Sequence, residues 1–275
     1  MTFKRILLIL GISFFSIAAL IYFSVFSIKK NLHPSEAVVL KDVAKVSSNT
    51  NFFLFPEQTK NQIVHYSQFS LSYNENAEQA DWVAYRLYPN SINRKTKRKN
   101  NFRSDLKIVT SSASLEDYKG SGYDRGHLAP ARAMSYNQQS MSESFLMSNI
   151  SPQKPSFNRG VWKKLENQVI RWSNLSDSLY VVTGPVLDSP LGSIGVNNVV
   201  IPRVYYKVIM KFSNNKISAI GFLLENKKTN KKIINFSTSI DNIESITGLN
   251  FFHLLEDKQQ QELERANSYN QFSNE

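Results

Sequence analysis

Side chains that could take part in catalysis are concentrated in the run Tyr123–Ala131, which reads YDRGHLAPA. Asp124, Arg125 and His127 fall within four consecutive positions, and the whole chain has four histidines. Histidine has an ordinary pKa near 6.5, so it is largely neutral at pH 7 and suits the role of a general base. A histidine on its own is more often a packed core residue, but the adjacent acid and arginine favour a catalytic role for His127.

A second group of polar residues lies in the runs Ser148–Gln153 (SNISPQ) and Phe157–Glu166 (FNRGVWKKLE). Asn149 and Asn158 offer amide oxygens and Glu166 offers a carboxylate, which are ligand types that Mg²⁺ accepts. Residues eight apart on a helix differ by about 80° around its axis, so Asn158 and Glu166 could share the hydration shell of one ion. This spacing is weak by itself, since helix caps and surface glutamates often produce it. Zinc is disfavoured because the chain has no cysteine and its histidines are scattered.

The composition indicates a globular protein with an anionic partner. The formal net charge is +11, and setting aside four bases that flank the apolar N-terminal segment leaves 29 bases against 22 acids, or +7. Between Arg94 and Arg103, six of ten residues are basic and none is acidic. Alone, such a run is typical of a solvated loop. Hydrolysis of a phosphodiester needs a base for water and a cation at phosphorus, which His127 and the oxygen donors above would supply, and beside such a site the run would bind the nucleic-acid backbone. The candidate phosphate-binding residues are Arg98, Arg103, Arg159 and Arg171.

The hydrophobic pattern predicts an α+β fold around a central antiparallel β-sheet flanked by helices. Phe69–Tyr73 alternates at period two, and Trp82–Tyr88 is predicted as the next strand. Val204–Phe212 and Ile217–Leu224 are predicted to form a hairpin, because the two asparagines between them suit a tight turn. Phe157–Asn174 places its apolar residues largely on one face, as an amphipathic helix does.

The C-terminal part is predicted to form two helices and a frayed end. Thr238 or Ser239 can cap a helix that runs through Ile246 and ends at Gly248. Glu256–Ala266 has the composition of a surface helix, and the polar residues 267–275 are expected to fray.

The N-terminal segment predicts a membrane anchor. Residues 6–28 contain no charged side chain, and roughly 20 apolar residues are enough to cross a bilayer. The run is longer than the apolar part of a signal peptide and lacks a clear cleavage site, so an uncleaved anchor with the enzyme domain on the extracytoplasmic side is favoured over secretion after cleavage. The predicted organisation is an anchor or signal at 1–30, a stalk at 31–60, a catalytic domain at 61–258, and a C-terminal helix with a frayed tail at 259–275.

Three runs together resemble the DNA/RNA non-specific endonuclease family, which includes Serratia-type nucleases and endonuclease G. They are Tyr123–Ala131, Ser148–Gln153 and Phe157–Glu166, and the DRGH core is the most specific part. The resemblance covers roughly residues 60–255 and implies a ββα-metal (His-Me finger) site on the α+β fold. It also implies Mg²⁺ as cofactor with Mn²⁺ as a substitute, DNA and RNA as substrates, and the homodimers that occur among relatives.

By matching positions, the resemblance implies a role for each site residue. His127 would be the general base, Asn158 the direct protein ligand of Mg²⁺, Glu166 the holder of metal-bound water, Asn149 a positioning residue, Arg125 a phosphate contact and Asp124 the paired acid of the motif. The family commonly has an arginine four residues after the helix glutamate, whereas this chain has Ile170 there and Arg171 next. Three alternatives stay open for that role: Arg171 reaching round the helix, Arg159, or a base of the Arg94–Arg103 run. The alternative hypothesis is a catalytically silent, membrane-anchored module that binds nucleic acid with the same fold.

Overall fold

The computed structural model describes residues 55–57, 61–92 and 96–274. The strands are β1 (Gln62–His65), β2 (Phe69–Asn74), β3 (Gln79–Leu87), β4 (Asp124–His127), β5 (Ile150–Gln153), β6 (Ser178–Val186), β7 (Ser193–Ile194), β8 (Val199–Val200), β9 (Val204–Ser213), β10 (Lys216–Glu225) and β11 (Ser237–Thr238). The α-helices are α1 (Leu115–Tyr118), α2 (Gln138–Glu143), α3 (Pro155–Phe157), α4 (Lys163–Ser173), α5 (Ile240–Thr247), α6 (Asp257–Arg265) and α7 (Tyr269–Asn274). A π-helical turn, Asn158–Trp162, joins α3 to α4, and 3₁₀ turns occupy Met147–Asn149 and Ile233–Phe236.

Seven strands form one large antiparallel sheet in the order β1-β2-β3-β6-β9-β10-β11, which confirms the predicted fold class. The predicted hairpin is present, with Ser213 paired to Lys216. Asn214 and Asn215 have φ values of 50° and 60°, the left-handed conformation that a two-residue hairpin turn of type I′ requires. The asparagines therefore set the register of the two longest strands.

One face of the large sheet packs against α4. Side chains alternate along a strand, so the registered residues Val83, Thr183 and Lys207 share this face. Helix α4 buries Leu165 and Val169 in the same hydrophobic core as Val83. Burying such a side chain stabilises the fold by about 1.5–3 kcal/mol, so the apolar stripe of α4 fixes the helix on the sheet.

The small sheet formed by β4 and β5 stands beside this core, with His127 opposite Ile150 and Gly126 opposite Ser151. Buried hydrogen bonds join it to the large sheet: the Ser151 hydroxyl bonds to Gln79 Oε1 at 2.5 Å and to the Tyr205 hydroxyl at 2.7 Å, and the Tyr205 hydroxyl lies 2.8 Å from the Pro152 carbonyl. The strand that carries His127 is thus held on a rigid frame.

Gly126 allows β5 to approach β4 closely. A Cβ atom at this position would lie 2.2 Å from Cδ of Gln153, which no side chain could tolerate without movement. Gln153 is completely buried against the glycine. The glycine of the motif therefore meets a packing requirement of the strand pair.

The C-terminal helices agree with the prediction up to α6. Ser239 caps α5 by accepting from the Asn242 N–H at 3.3 Å, and Gly248 ends it with φ +69°. The predicted frayed end was wrong over α7, because Phe272 is buried with its ring centroid 5.1 Å from that of Trp172. An aromatic residue buried on the core outweighs the polar composition around it.

The predicted membrane anchor at 6–28 and most of the stalk lie outside the described residues. Within the described ranges, no helix combines the length and the apolar character needed to cross a membrane. Phe55, at the end of the predicted stalk, stacks on Trp82 with ring centroids 5.1 Å apart.

Candidate active site

His127 ends β4 and is held by two aromatic rings. Its imidazole meets Phe145 edge-on at 4.8 Å and Phe102 at 5.5 Å between ring centroids. Its Nε2 atom is buried and has no hydrogen-bond partner within the described ranges. Burial, together with the positive charge of Arg98, lowers the pKa of His127 to about 3. The imidazole is therefore neutral at pH 7 and able to accept a proton.

Each of the same two rings contacts one arginine beside the imidazole. Phe102 and Phe145 form an edge-to-face pair at 4.9 Å. The guanidinium of Arg125 lies 4.5 Å from the centroid of Phe102, and that of Arg98 lies 4.9 Å from the centroid of Phe145. Cation–π contacts hold both charges next to His127. The structure thus brings Arg98 of the basic run beside Arg125 and His127 of the YDRGHLAPA motif.

Asn149 supports the segment that follows His127. Its Nδ2 donates to the carbonyls of Ala129 at 3.0 Å and Ser144 at 2.8 Å, and its Oδ1 accepts from the Ala129 N–H at 2.9 Å. The side chain is completely buried. The amide is engaged at both ends, so Asn149 holds the loop after β4 in place.

Asp124, at the other end of β4, orients Asn158. Its carboxylate accepts from Asn158 Nδ2 at 2.9 Å and from Arg159 through Nε at 2.9 Å and Nη2 at 2.6 Å. This two-point pairing with Arg159 fixes the carboxylate. Because the amide nitrogen of Asn158 points at Asp124, its carbonyl oxygen is turned away and is the atom that a cation would take.

The turn that carries Asn158 departs from an ideal helix. Gly160 has φ −100° and ψ −113°, outside the helical region. The 80° relation expected between Asn158 and Glu166 therefore does not hold, because the chain bends between them. Phe157 and Trp162 anchor the turn on either side, with ring centroids 5.4 Å apart. Such π-turns are frequent at functional sites.

Glu166 lies in the first turn of α4 and is half-buried. Burial raises the pKa of the Glu166 carboxyl, and the positive charges of Lys207, Arg98 and Lys163 oppose that rise. Lys207 is completely buried on β9, and burial lowers the pKa of its ammonium while Glu166 raises it. Sequence reasoning missed Lys207. The available signal was a lysine in the middle of a strand, VYYKVIMKFS, that is otherwise nearly all apolar.

Two of the predicted phosphate-binding arginines are engaged elsewhere. Arg171 Nε donates to Gln168 Oε1 at 3.0 Å on the exposed surface of α4. Arg103 Nη1 donates to the Ser142 carbonyl at 3.0 Å, which ties the basic loop to α2. Ile170 is buried in place of the family's arginine. A shift of one residue on a helix turns a side chain by about 100°, and Arg171 is bonded to Gln168 on the exposed surface of α4, so which base takes the place of the family's arginine stays a prediction.

The donor atoms near β4 fit a hard divalent cation. The Asn158 carbonyl oxygen and the Glu166 carboxylate are oxygen donors, and Mg²⁺ is often held by few protein groups and several waters. A second oxygen-rich group, the helical acidic cluster, consists of Asp241, Glu244 and Glu264, whose ligand atoms all lie within 4.8 Å of one another. It belongs to α5 and α6 and includes neither His127 nor Asn158.

The described residues thus form an antiparallel strand pair followed by a helix, with His127 at the end of the first strand and Asn158 before the helix. The chain belongs to the DNA/RNA non-specific endonuclease family, whose model matches residues 47–258. It is accordingly a nucleic-acid hydrolase.

Particular relatives support this assignment. The chain is 32% identical over 217 residues to nuclease C1 of Cunninghamella echinulata var. echinulata, covering 72% of this chain and 85% of that protein. It is 29% identical over 204 residues to a nuclease of Nostoc sp., covering 70% and 73%. Among solved structures it resembles the crystal structure of the EndoG/EndoGI complex, with a TM-score of 0.69 and 30% identity over 74% of this chain and 90% of that one.

Proposed function

We propose that this chain is a Mg²⁺-dependent, sugar-non-specific endonuclease that hydrolyses DNA and RNA with His127 as the general base. One observation carries the proposal: a neutral imidazole is held on the same aromatic pair as the guanidinium groups of Arg98 and Arg125. The attacking water requires a base, and the anionic phosphodiester requires positive charge.

The protein side of the reaction follows from this arrangement. Arg98 and Arg125 attract the phosphodiester, and the imidazole of His127 takes a proton from the water that attacks phosphorus. A phosphate anion close to the ring favours the protonated form, so the basicity of His127 rises as the substrate binds. The buried aromatic surroundings keep the ring in one orientation.

Asn158 would hold Mg²⁺ directly through its carbonyl oxygen, and Glu166 would hold it through a water molecule. When bound, the ion neutralises charge at phosphorus and on the departing oxygen. Asp124 and Arg159 keep the amide of Asn158 turned the right way. Mn²⁺ accepts the same oxygen donors and is proposed as a substitute.

Substrate binding without sequence preference is proposed to come from phosphate contacts. Lys97, Arg98 and Lys99 are exposed on the loop that precedes Phe102. Arg159 is also exposed beside the site, although it already pairs with Asp124. Contacts to the phosphate backbone carry no sequence information, which suits cleavage of many sequences in both nucleic acids.

The test is cleavage of plasmid DNA and of RNA by the full chain in detergent, with Mg²⁺, Mn²⁺ or EDTA. Cleavage of both substrates with metal and none with EDTA is expected. Asn158→Ala is expected to lower kcat at least ~100-fold, because the metal contributes several kcal/mol to the transition state. Intact nucleic acid under all conditions would sink the proposal, and salt-sensitive binding without cleavage would support the silent module instead.

The cellular placement remains a proposal from the sequence: an anchor at 6–28 with the enzyme on the extracytoplasmic side. Mass spectrometry of the mature chain distinguishes this form from one secreted after cleavage, because only the anchored chain retains residues 1–30. Light scattering of the purified protein decides between a monomer and the homodimer that the resemblance implies.

A further inference from the structure

Strand β9 buries two lysines on the same face, four residues apart. Lys207 and Lys211 are both almost completely shielded from solvent. The ammonium of Lys211 donates to the carbonyl of Phe272 in α7. That of Lys207 finds no hydrogen-bond acceptor among the residues that the structure describes. The two side chains thus differ in how their charges are compensated.

An ammonium buried without a hydrogen-bond partner is strongly disfavoured, so a nearby negative charge is needed to retain it. Lys207 Nζ lies 4.6 Å from the ring centroid of Trp162, the last residue of the turn that begins at Asn158. Glu166 follows Trp162 by four residues, a spacing that places two side chains side by side on a helix. The charge of Lys207 therefore lies beneath the segment that carries both proposed metal-site residues.

We infer that Lys207 is the internal counter-charge of the Glu166 carboxylate and, through it, a positioning residue of the active site. The first part stands on the fold alone, and the second rests on the proposed function. The ammonium of Lys207 attracts the Glu166 carboxylate from inside the protein. Its cation–π contact with Trp162 also stabilises the position of the turn that precedes α4.

The other cations that act on Glu166 differ from Lys207 in their exposure. Arg98 and Lys163 also favour its ionised form, but both are exposed to solvent, which screens their charges. Lys207, in contrast, is completely buried, where solvent does not screen its charge. The next inward position of α4 is Ile170, which is buried and carries no charge. Strand β9 thereby supplies Glu166 with a buried positive charge, which α4 does not.

A double-mutant cycle in stability tests the first part without any assay of activity. Urea unfolding would be measured for the full chain and for Glu166→Gln, Lys207→Met and the double variant. Glu166→Gln alone leaves the ammonium uncompensated and should lower the folding equilibrium constant. In the Lys207→Met chain, Glu166→Gln should lower the folding equilibrium constant by a factor that is at least ~10-fold smaller. Coupling free energies of this size are found between interacting residues. Additive effects would overturn the inference.

Steady-state kinetics on plasmid DNA tests the second part. Lys207→Met should lower kcat about 10-fold or more and leave KM within about two-fold, because a displaced Glu166 impairs the chemical step more than binding. Lys211→Met is the matched control: it removes a buried charge from the same face of β9 and should lower stability while kcat stays near that of the parent. An unchanged kcat in Lys207→Met, or equal losses in both variants, overturns the positioning role. A parent chain without nuclease activity would overturn the proposed function and, with it, this role, while the stability cycle would still decide the counter-charge.

Discussion

The active site and the helical acidic cluster of Asp241, Glu244 and Glu264 use carboxylates in opposite ways. In the active site, Asp124 pairs with Arg159, and Glu166 lies among positive charges. In the cluster, three carboxylates approach one another, and burial raises the pKa of Glu264 to about 7. The cluster has the more metal-like spacing, yet the cations and the neutral histidine are at the other region. A site that acts on an anionic polymer is thus indicated by positive charges around its acids. The number of acids alone does not indicate one.

The two regions should differ most in how substitutions change kcat, and His127→Ala is expected to give the largest change. Loss of a general base should lower kcat by ~10²–10⁴-fold. The variant should still fold, with some loss of stability because the ring contacts with Phe102 and Phe145 are removed. Initial rates of plasmid cleavage with Mg²⁺ measure the change. His65→Ala on β1 is the control and should retain the parent rate. Parent-like cleavage by His127→Ala would show that the base lies elsewhere.

A smaller effect is expected from the exposed lysines of the basic loop. Lys97→Ala combined with Lys99→Ala should raise KM for DNA several-fold at unchanged kcat, because their proposed contacts are to phosphates. The slope of log K against log salt should fall by about 1–2, one for each lost contact. Binding titrations at three salt concentrations give the slope. If replacing the equally exposed pair Lys231 and Lys232 has the same effect, overall charge and not this loop governs binding.

The smallest effect on activity is expected in the helical acidic cluster. The folded-state pKa of Glu264, about 7, exceeds its ordinary value of 4.5, so its protonation stabilises the fold below pH 4.5 and that contribution is lost as pH rises through 7. Glu264→Gln should therefore raise the unfolding midpoint by about 2–4 °C at pH 8 and by less at pH 5. Cleavage should be unaffected.

Thermal unfolding at the two pH values measures this change. A shift of the same size at both would show that the carboxyl does not titrate as proposed. A loss of nuclease activity in Glu264→Gln would remove the distinction between the two regions.

The features that depend on local chemistry could be predicted from the sequence. Two asparagines predicted the hairpin between β9 and β10, and Ser239 with Gly248 predicted the ends of α5. The motif residues Arg125 and His127 are two positions apart on one strand, so their proximity required no knowledge of the fold.

The features missed depend on contacts between distant parts of the chain. Lys207 reaches the candidate active site because β9 lies beneath the turn Asn158–Trp162, and no local pattern gives that pairing. The polar composition around Phe272 hid the core contact that forms α7. The bend at Gly160 was also missed, because the surrounding residues follow a regular amphipathic pattern.

The close approach of Gln153 to Gly126 has a consequence for how this sequence can change. Any side chain at position 126 would occupy the space of a buried residue on the neighbouring strand. A side chain at position 126 therefore requires the side chain of Gln153 to move or to be replaced by a smaller one. A residue that takes no part in the proposed chemistry thereby restricts what can stand between Arg125 and His127.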